Sequence, residues 1–178
     1  MNKKYASLLL LFSFLFSLSI NAQDMISKEG IPDQLKNEKL IFLKHESIVV
    51  GTEEEDESSK KYVILRQENH NKVLKEYNTE LEAAVSQYPF ESMLAFPSEL
   101  KSIATENRYV LYSSVYDYDF LKSQPKEGEL IVFSYFIKDN ETGTMYPLFE
   151  MDEMKIYDAK MMMKRLKRKL KEKFPEAY

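Results

Sequence analysis

The pattern that most constrains this chain is a long helical segment set between two short apolar runs. From Lys60 to Gln87 and just beyond, Val73, Tyr77, Leu81, Ala84 and Tyr88 recur at steps of three and four, with His70, Leu74 and Val85 beside them. That spacing gathers the apolar residues on one helical face. Glu76, Glu80 and Glu82 mark the polar side, and Pro89 stops the helix. Before it, Leu40, Phe42 and the Ile48-Val49-Val50 run read as a first strand; after it, "FESMLAF" reads as a second. Two strands joined through a long helix form a parallel crossover, which is right-handed in nearly all cases.

The second half of the chain reads as an antiparallel meander. "RYVLYSSVYDYDF" alternates so that Val110, Tyr112, Ser114, Tyr116, Tyr118 and Phe120 share one face of a strand. "ELIVFSYFI" is apolar on both faces, the pattern of an interior strand covered on both sides. "KDNETG" is a hairpin turn in which Gly143 supplies positive φ, and "TMYPLF" is the returning strand. Between the second and third strands, Pro97 to Leu100 opens a brief helical turn with Ser98 as its cap. A last helix, 152–174, ends at Pro175. The order β-α-β-β-β-β-α predicts an α+β fold, a layered sandwich of a mixed four- to five-stranded sheet with two long helices. No repeat and no Pro-, Gly- or Ser-rich linker divides residues 23–178, which read as one domain.

Residues 1–22 read as a leader, not as part of this fold. Lys3 and Lys4 precede an apolar run from Leu8 to Ile20, and Ile20-Asn21-Ala22 offers a small residue for cleavage. These are the marks of a secretory signal peptide. No later run approaches the roughly 18 apolar residues of a membrane span. The expected location is therefore exported, periplasmic or extracellular, with no transmembrane segment in the mature chain. Removing 22 of 178 residues leaves 156, enough to bury a core without covalent staples. The chain has no cysteine, which excludes disulfides, thiol nucleophiles and cysteine-ligated zinc.

Few residues carry reactive chemistry. Of the two histidines, His45 stands beside Glu46 and Ser47, but strand neighbours point to opposite faces and form no relay. His70 falls near the apolar stripe of the first helix, where a buried, hydrogen-bonded ring is the ordinary explanation. Asp117 and Asp119, two apart on an expected strand, share a face and could act as an acid–base pair or hold a cation. Met151, Met154 and Met161 would share one face of the last helix, a soft thioether set suited to Cu(I), although no histidine lies among them. None of the phosphate-cradling, nucleophile-elbow, zinc or dinucleotide motifs occurs. These readings assign no catalytic, cofactor or metal residues.

The C-terminal helix carries the strongest charge signal. Ile156, Ala159, Met163, Leu166, Leu170 and Phe174 form a complete core-facing stripe. Cations fill the remaining positions: residues 155–178 hold nine bases and three acids, a net of +6. The mature chain, with 23 bases and 29 acids, carries −6, so 23–154 carries −12. The acids include the unbroken run Glu53 to Glu57, which marks 51–59 as a solvated acidic loop. Lys164, Arg165, Lys167, Arg168 and Lys171 are the residues placed to touch an anionic surface. Nucleic acid is not expected as a partner, because the helix has no interleaved aromatics for stacking. The sequence points to a non-catalytic binding or interaction module for an unknown protein or small-molecule ligand. One alternative is a peripheral envelope protein held on anionic lipid by this helix. Another is a hydrolase or metal-dependent enzyme built on Asp117 and Asp119.

Overall fold

The computed structural model describes residues 26–178, so the expected leader 1–22 lies outside the described residues. Five strands follow one another as β1 (Leu40–Leu43), β2 (Ser92–Ala95), β3 (Tyr109–Ser113), β4 (Val132–Asp139) and β5 (Met145–Asp152). Three helices accompany them: α1 (Glu57–Val85) between β1 and β2, the single turn α2 (Leu100–Ile103) between β2 and β3, and α3 (Ala159–Lys173) after β5. The sheet order is β2-β1-β3-β4-β5. β1 runs parallel to both β2 and β3, and the β3-β4-β5 meander is antiparallel. This is the expected α+β architecture with a mixed five-stranded sheet.

The connections explain which strands are buried on both faces. β1 leads outward to β2 through α1, and the chain returns past β1 to β3 through α2. Right-handed crossovers in opposite lateral directions lie on opposite faces of a sheet. β1 is thus covered from both sides, and all four residues of Leu40–Leu43 are buried. Cross-strand register aligns Leu40 with Tyr109, Phe42 with Leu111, and those two with Asp139 and Ile137. This face packs under α1 and α3, with the Phe42 ring edge-on to Tyr88 at 5.2 Å.

β4 departs from the expectation of two covered faces. Phe133, Tyr135, Ile137 and Asp139 are buried while Val132, Ser134 and Lys138 are exposed. That face of β4 therefore stays open, and only the alternate residues are covered. At the hairpin, Gly143 has φ +69 and its N–H donates to the Asp139 carbonyl at 2.8 Å. Asp139 itself is buried and takes the Arg108 guanidinium at 2.9 Å.

Local capping chemistry moves several boundaries. Asp56 accepts from the Ser59 N–H at 2.8 Å, which starts α1 at Glu57 and shortens the acidic loop expected over 51–59. Asp158 accepts from the Met161 N–H at 2.7 Å, so α3 begins at Ala159 and not at residue 152. Residues 153–155 are instead a 3-10 turn held by the Glu153 N–H on the Ile131 carbonyl at 3.2 Å. β3 stops at Ser113 because its hydroxyl accepts from the Val115 N–H, a local bond that competes with the ladder. The expected strand through Phe120 becomes two 3-10 turns, with Tyr118 between them in the left-handed region at φ 57. Ser98 does not cap its turn; its hydroxyl donates to the Glu46 carboxylate.

The free edge of β5 is guarded. The Met145 N–H donates to the Ile26 carbonyl and its carbonyl accepts from the Lys28 N–H, both at 2.9 Å. Pro147 offers no N–H, and Arg165 donates to the Glu150 carbonyl.

Candidate functional site

The Ile48-Val49-Val50 run is not a strand, and the reason opens the most specific region of the molecule. After Lys44, the chain leaves the sheet and runs antiparallel to α1, held by helix side chains. Asn78 accepts from the His45 N–H and donates to the His45 carbonyl, both at 2.9 Å. Asn71 does the same for Ile48, at 3.0 and 2.9 Å, and Gln67 for Gly51, at 2.8 Å each. Each amide thus serves both backbone groups of one residue, as a β-ladder rung would. Gln67 reaches further and donates to the Leu121 carbonyl at 3.0 Å. Alternate strap side chains then face outward, and Val49 is 94% exposed, while His45 points inward.

Beneath the strap lies a buried cluster of histidine and tyrosine. The His45 and His70 rings meet edge-on with centroids 5.5 Å apart, ringed by Tyr77, Tyr116, Tyr118 and Tyr157. The Tyr118 hydroxyl accepts from the Glu46 N–H at 2.7 Å and lies 3.3 Å from His45 Nδ1. His70 Nε2 faces the Glu46 carbonyl at 2.8 Å and must donate, so Nδ1 accepts from the Tyr157 hydroxyl at 2.7 Å.

Both rings have no solvent exposure. Burial first, and the neighbouring His70 second, push His45 down to about 3, while the Ile156 backbone acts weakly the other way. His45 Nε2 nevertheless closes no hydrogen bond of ordinary geometry. Burial also lowers His70, and raises the Tyr77 phenol to about 12. A neutral, enclosed cluster of this kind is suited to holding the strap on α1, not to proton transfer with solvent.

An open groove lies on the other side of Leu121. It has a volume of about 490 Å³ and is walled by Leu65, Arg66, Phe120, Met154 and Tyr157 among others. Leu65 is 61% exposed and Met154 93% exposed, unusual for large apolar side chains beside a concavity. Arg66 sits between the Tyr62 and Phe120 rings, at 5.4 and 5.3 Å, and pairs with Glu153. Its charge is held in place at the groove wall.

The structure separates the paired carboxylates. Asp117 ends one 3-10 turn and accepts from the Tyr112 hydroxyl, whereas Asp119 opens the next and pairs with Lys122. They do not share a strand face. The methionines separate as well: Met151 is buried at the end of β5, Met154 stands on the 3-10 turn, and Met161 is on α3. The shared thioether face required the helix to begin at 152. Among the described residues, no group of three or more His, Asp or Glu side chains is placed to hold a metal ion.

The basic helix keeps its expected stripe, with Ile156, Ala159, Met163, Leu166, Leu170 and Phe174 all buried. Its flanking cations tie it down on both sides. Lys160 pairs with Glu80 of α1 at 2.9 Å and Lys167 reaches Gln87, just past the end of α1, at 3.4 Å; Arg165 holds Glu150, and Lys173 pairs with Asp33. Lys164, Arg168 and Lys171 are exposed and have no salt-bridge partner among the described residues.

The molecule is thus an α+β protein with a mixed sheet, an amide-clasped strap and an open groove beside Leu65 and Met154. Among the described residues, no helix is long and apolar enough to cross a membrane. No family model, no curated protein and no solved structure matches the chain.

Proposed function

We propose that this is an exported, non-catalytic binding module that takes an apolar or aromatic ligand group in the groove between Leu65 and Met154. The observation that carries the reading is the exposure of those two side chains on either side of a concavity lined by Phe120 and Tyr157. Burying a large apolar side chain contributes about 1.5–3 kcal/mol, so two left open at a groove favour occupancy. Arg66, fixed by two rings and Glu153, adds one oriented cation at the wall. The enclosed, neutral state of His45 and His70 supports a structural part for them. The separate engagement of Asp117 and Asp119 gives little support to a hydrolase.

Anilinonaphthalene sulfonate, an aromatic body with one anionic group, is a suitable probe. Saturable one-to-one binding is expected, weakened about tenfold or more by Leu65→Glu or Met154→Glu without loss of thermal stability. No saturable binding, or binding indifferent to both substitutions, overturns the reading. Export is tested separately by fractionating cells that express the full chain and sequencing the mature N-terminus.

A further inference from the structure

We propose that the ridge of α3 formed by Lys164, Arg168 and Lys171 is a contact surface for an anionic lipid bilayer. The three positions are spaced by four and three residues, so they stand on one face of the helix. That face lies away from the buried stripe of Ala159, Met163, Leu166 and Leu170. Lys160 binds α1 and Lys167 the turn that follows it, while Arg165 and Lys173 bind β5 and the segment before β1. The ridge cations are set apart by having no such partner among the described residues.

The ridge geometry selects the kind of partner. Seven residues of helix span about 10 Å, so the three cations are spread along one face and match an extended array of charges. No aromatic side chain is exposed on α3 to stack a base, since Phe174 is buried. The apolar stripe is already engaged in the core, so contact is by headgroup attraction without insertion. The charge asymmetry, +6 over 155–178 against −12 over 23–154, turns this end of the molecule towards a negative surface.

The test is co-sedimentation with phosphatidylcholine vesicles made with and without phosphatidylglycerol, at low and high salt. Binding is expected only to the anionic vesicles and only at low salt. The triple variant Lys164→Gln/Arg168→Gln/Lys171→Gln should lower the partition coefficient about 100-fold. Lys101→Gln/Lys126→Gln/Lys138→Gln makes the same charge change at other exposed positions and should bind as the parent does. The proposal is overturned by equal loss in both triples, by binding that survives high salt, or by no phosphatidylglycerol-dependent binding. Capture of soluble heparin without vesicle binding overturns it too. Melting temperatures of both variants, expected to be unchanged, separate surface loss from misfolding.

Discussion

Acidification should destabilise this protein well above the range in which carboxylates protonate, and His45 sets the size of the effect. Burial and the nearby His70 hold His45 at about 3 in the folded chain, against about 6.5 when unfolded. The folded value is depressed, so its contribution is complete above about pH 6.5 and is lost as pH falls towards about 3. Within that window the unfolded chain binds a proton that the native chain refuses. The loss is about 1.4 kcal/mol per pH unit, or about 2 kcal/mol on reaching about pH 5. His70, lowered by its burial, acts in the same direction. For a chain of this size about 2 kcal/mol corresponds to a fall in Tm of about 4–8 °C.

The measurement is a series of thermal melts of the parent and His45→Phe between neutral pH and about pH 5. Phenylalanine keeps a ring in the cluster and cannot titrate. Near neutrality the variant should be less stable, having lost the bond to Tyr118. That gap should shrink by about 2 kcal/mol as the pH reaches about 5, because only the parent acquires the protonation penalty. A gap that stays constant refutes the reasoning. So does a His45 ring resonance titrating near its ordinary value, as that would place the ring in contact with water.

The other predictions concern packing and pairing. Asn71→Ala should cost about 1–3 kcal/mol by leaving the Ile48 N–H and carbonyl unpaired, and amide exchange should accelerate at Ile48 more than in the sheet. Arg108→Ala should cost roughly 3 kcal/mol in denaturant melts, since it leaves the buried Asp139 carboxylate without its ion pair. Burial opposes the charge on Asp139 and Arg108 holds its pKa below the usual carboxylate value; Asp139→Asn should therefore flatten the loss of stability in strong acid. Leu166→Ala, at the centre of the α3 stripe, should cost about 2–5 kcal/mol by chemical unfolding.

The parts of this fold readable from the sequence are those where hydrophobic period alone decides. The helical stripe around Tyr77 and Leu81 and the stripe of α3 are buried as their spacing requires. The hairpin at Gly143 follows from the need for positive φ. What was hidden depends on polar side chains reaching across the fold. Ile48-Val49-Val50 has the composition of a strand, yet its backbone is served by Asn71 and Gln67 instead of a neighbouring strand. Short-range caps at Ser113 and Asp158 ended or delayed elements whose apolar pattern ran on. One signal did point towards the cluster: Gln67, Asn71 and Asn78 accompany His70 on a helix, where asparagine is a poor former. Polar residues at or beside a buried stripe need partners, and here the partners were backbone groups. The groove was illegible because Leu65, Phe120 and Met154 come from three separate segments.

The clasp between α1 and the strap has a consequence for how this sequence can drift. An amide that bonds both backbone groups of one residue is blind to that residue's side chain. Position 48, and Val49 with it, can accept most substitutions except proline at a bonded N–H. Gln67, Asn71 and Asn78 have no such latitude, because a shorter, longer or apolar side chain leaves a rung open. In any homologous chain that keeps the clasp, invariance should gather on one face of the long helix and at the buried His45, while the exposed strap positions Ser47, Val49 and Val50 vary. A search keyed to the exposed strap residues would therefore miss such relatives, and one keyed to the spacing of 67, 71 and 78 would find them.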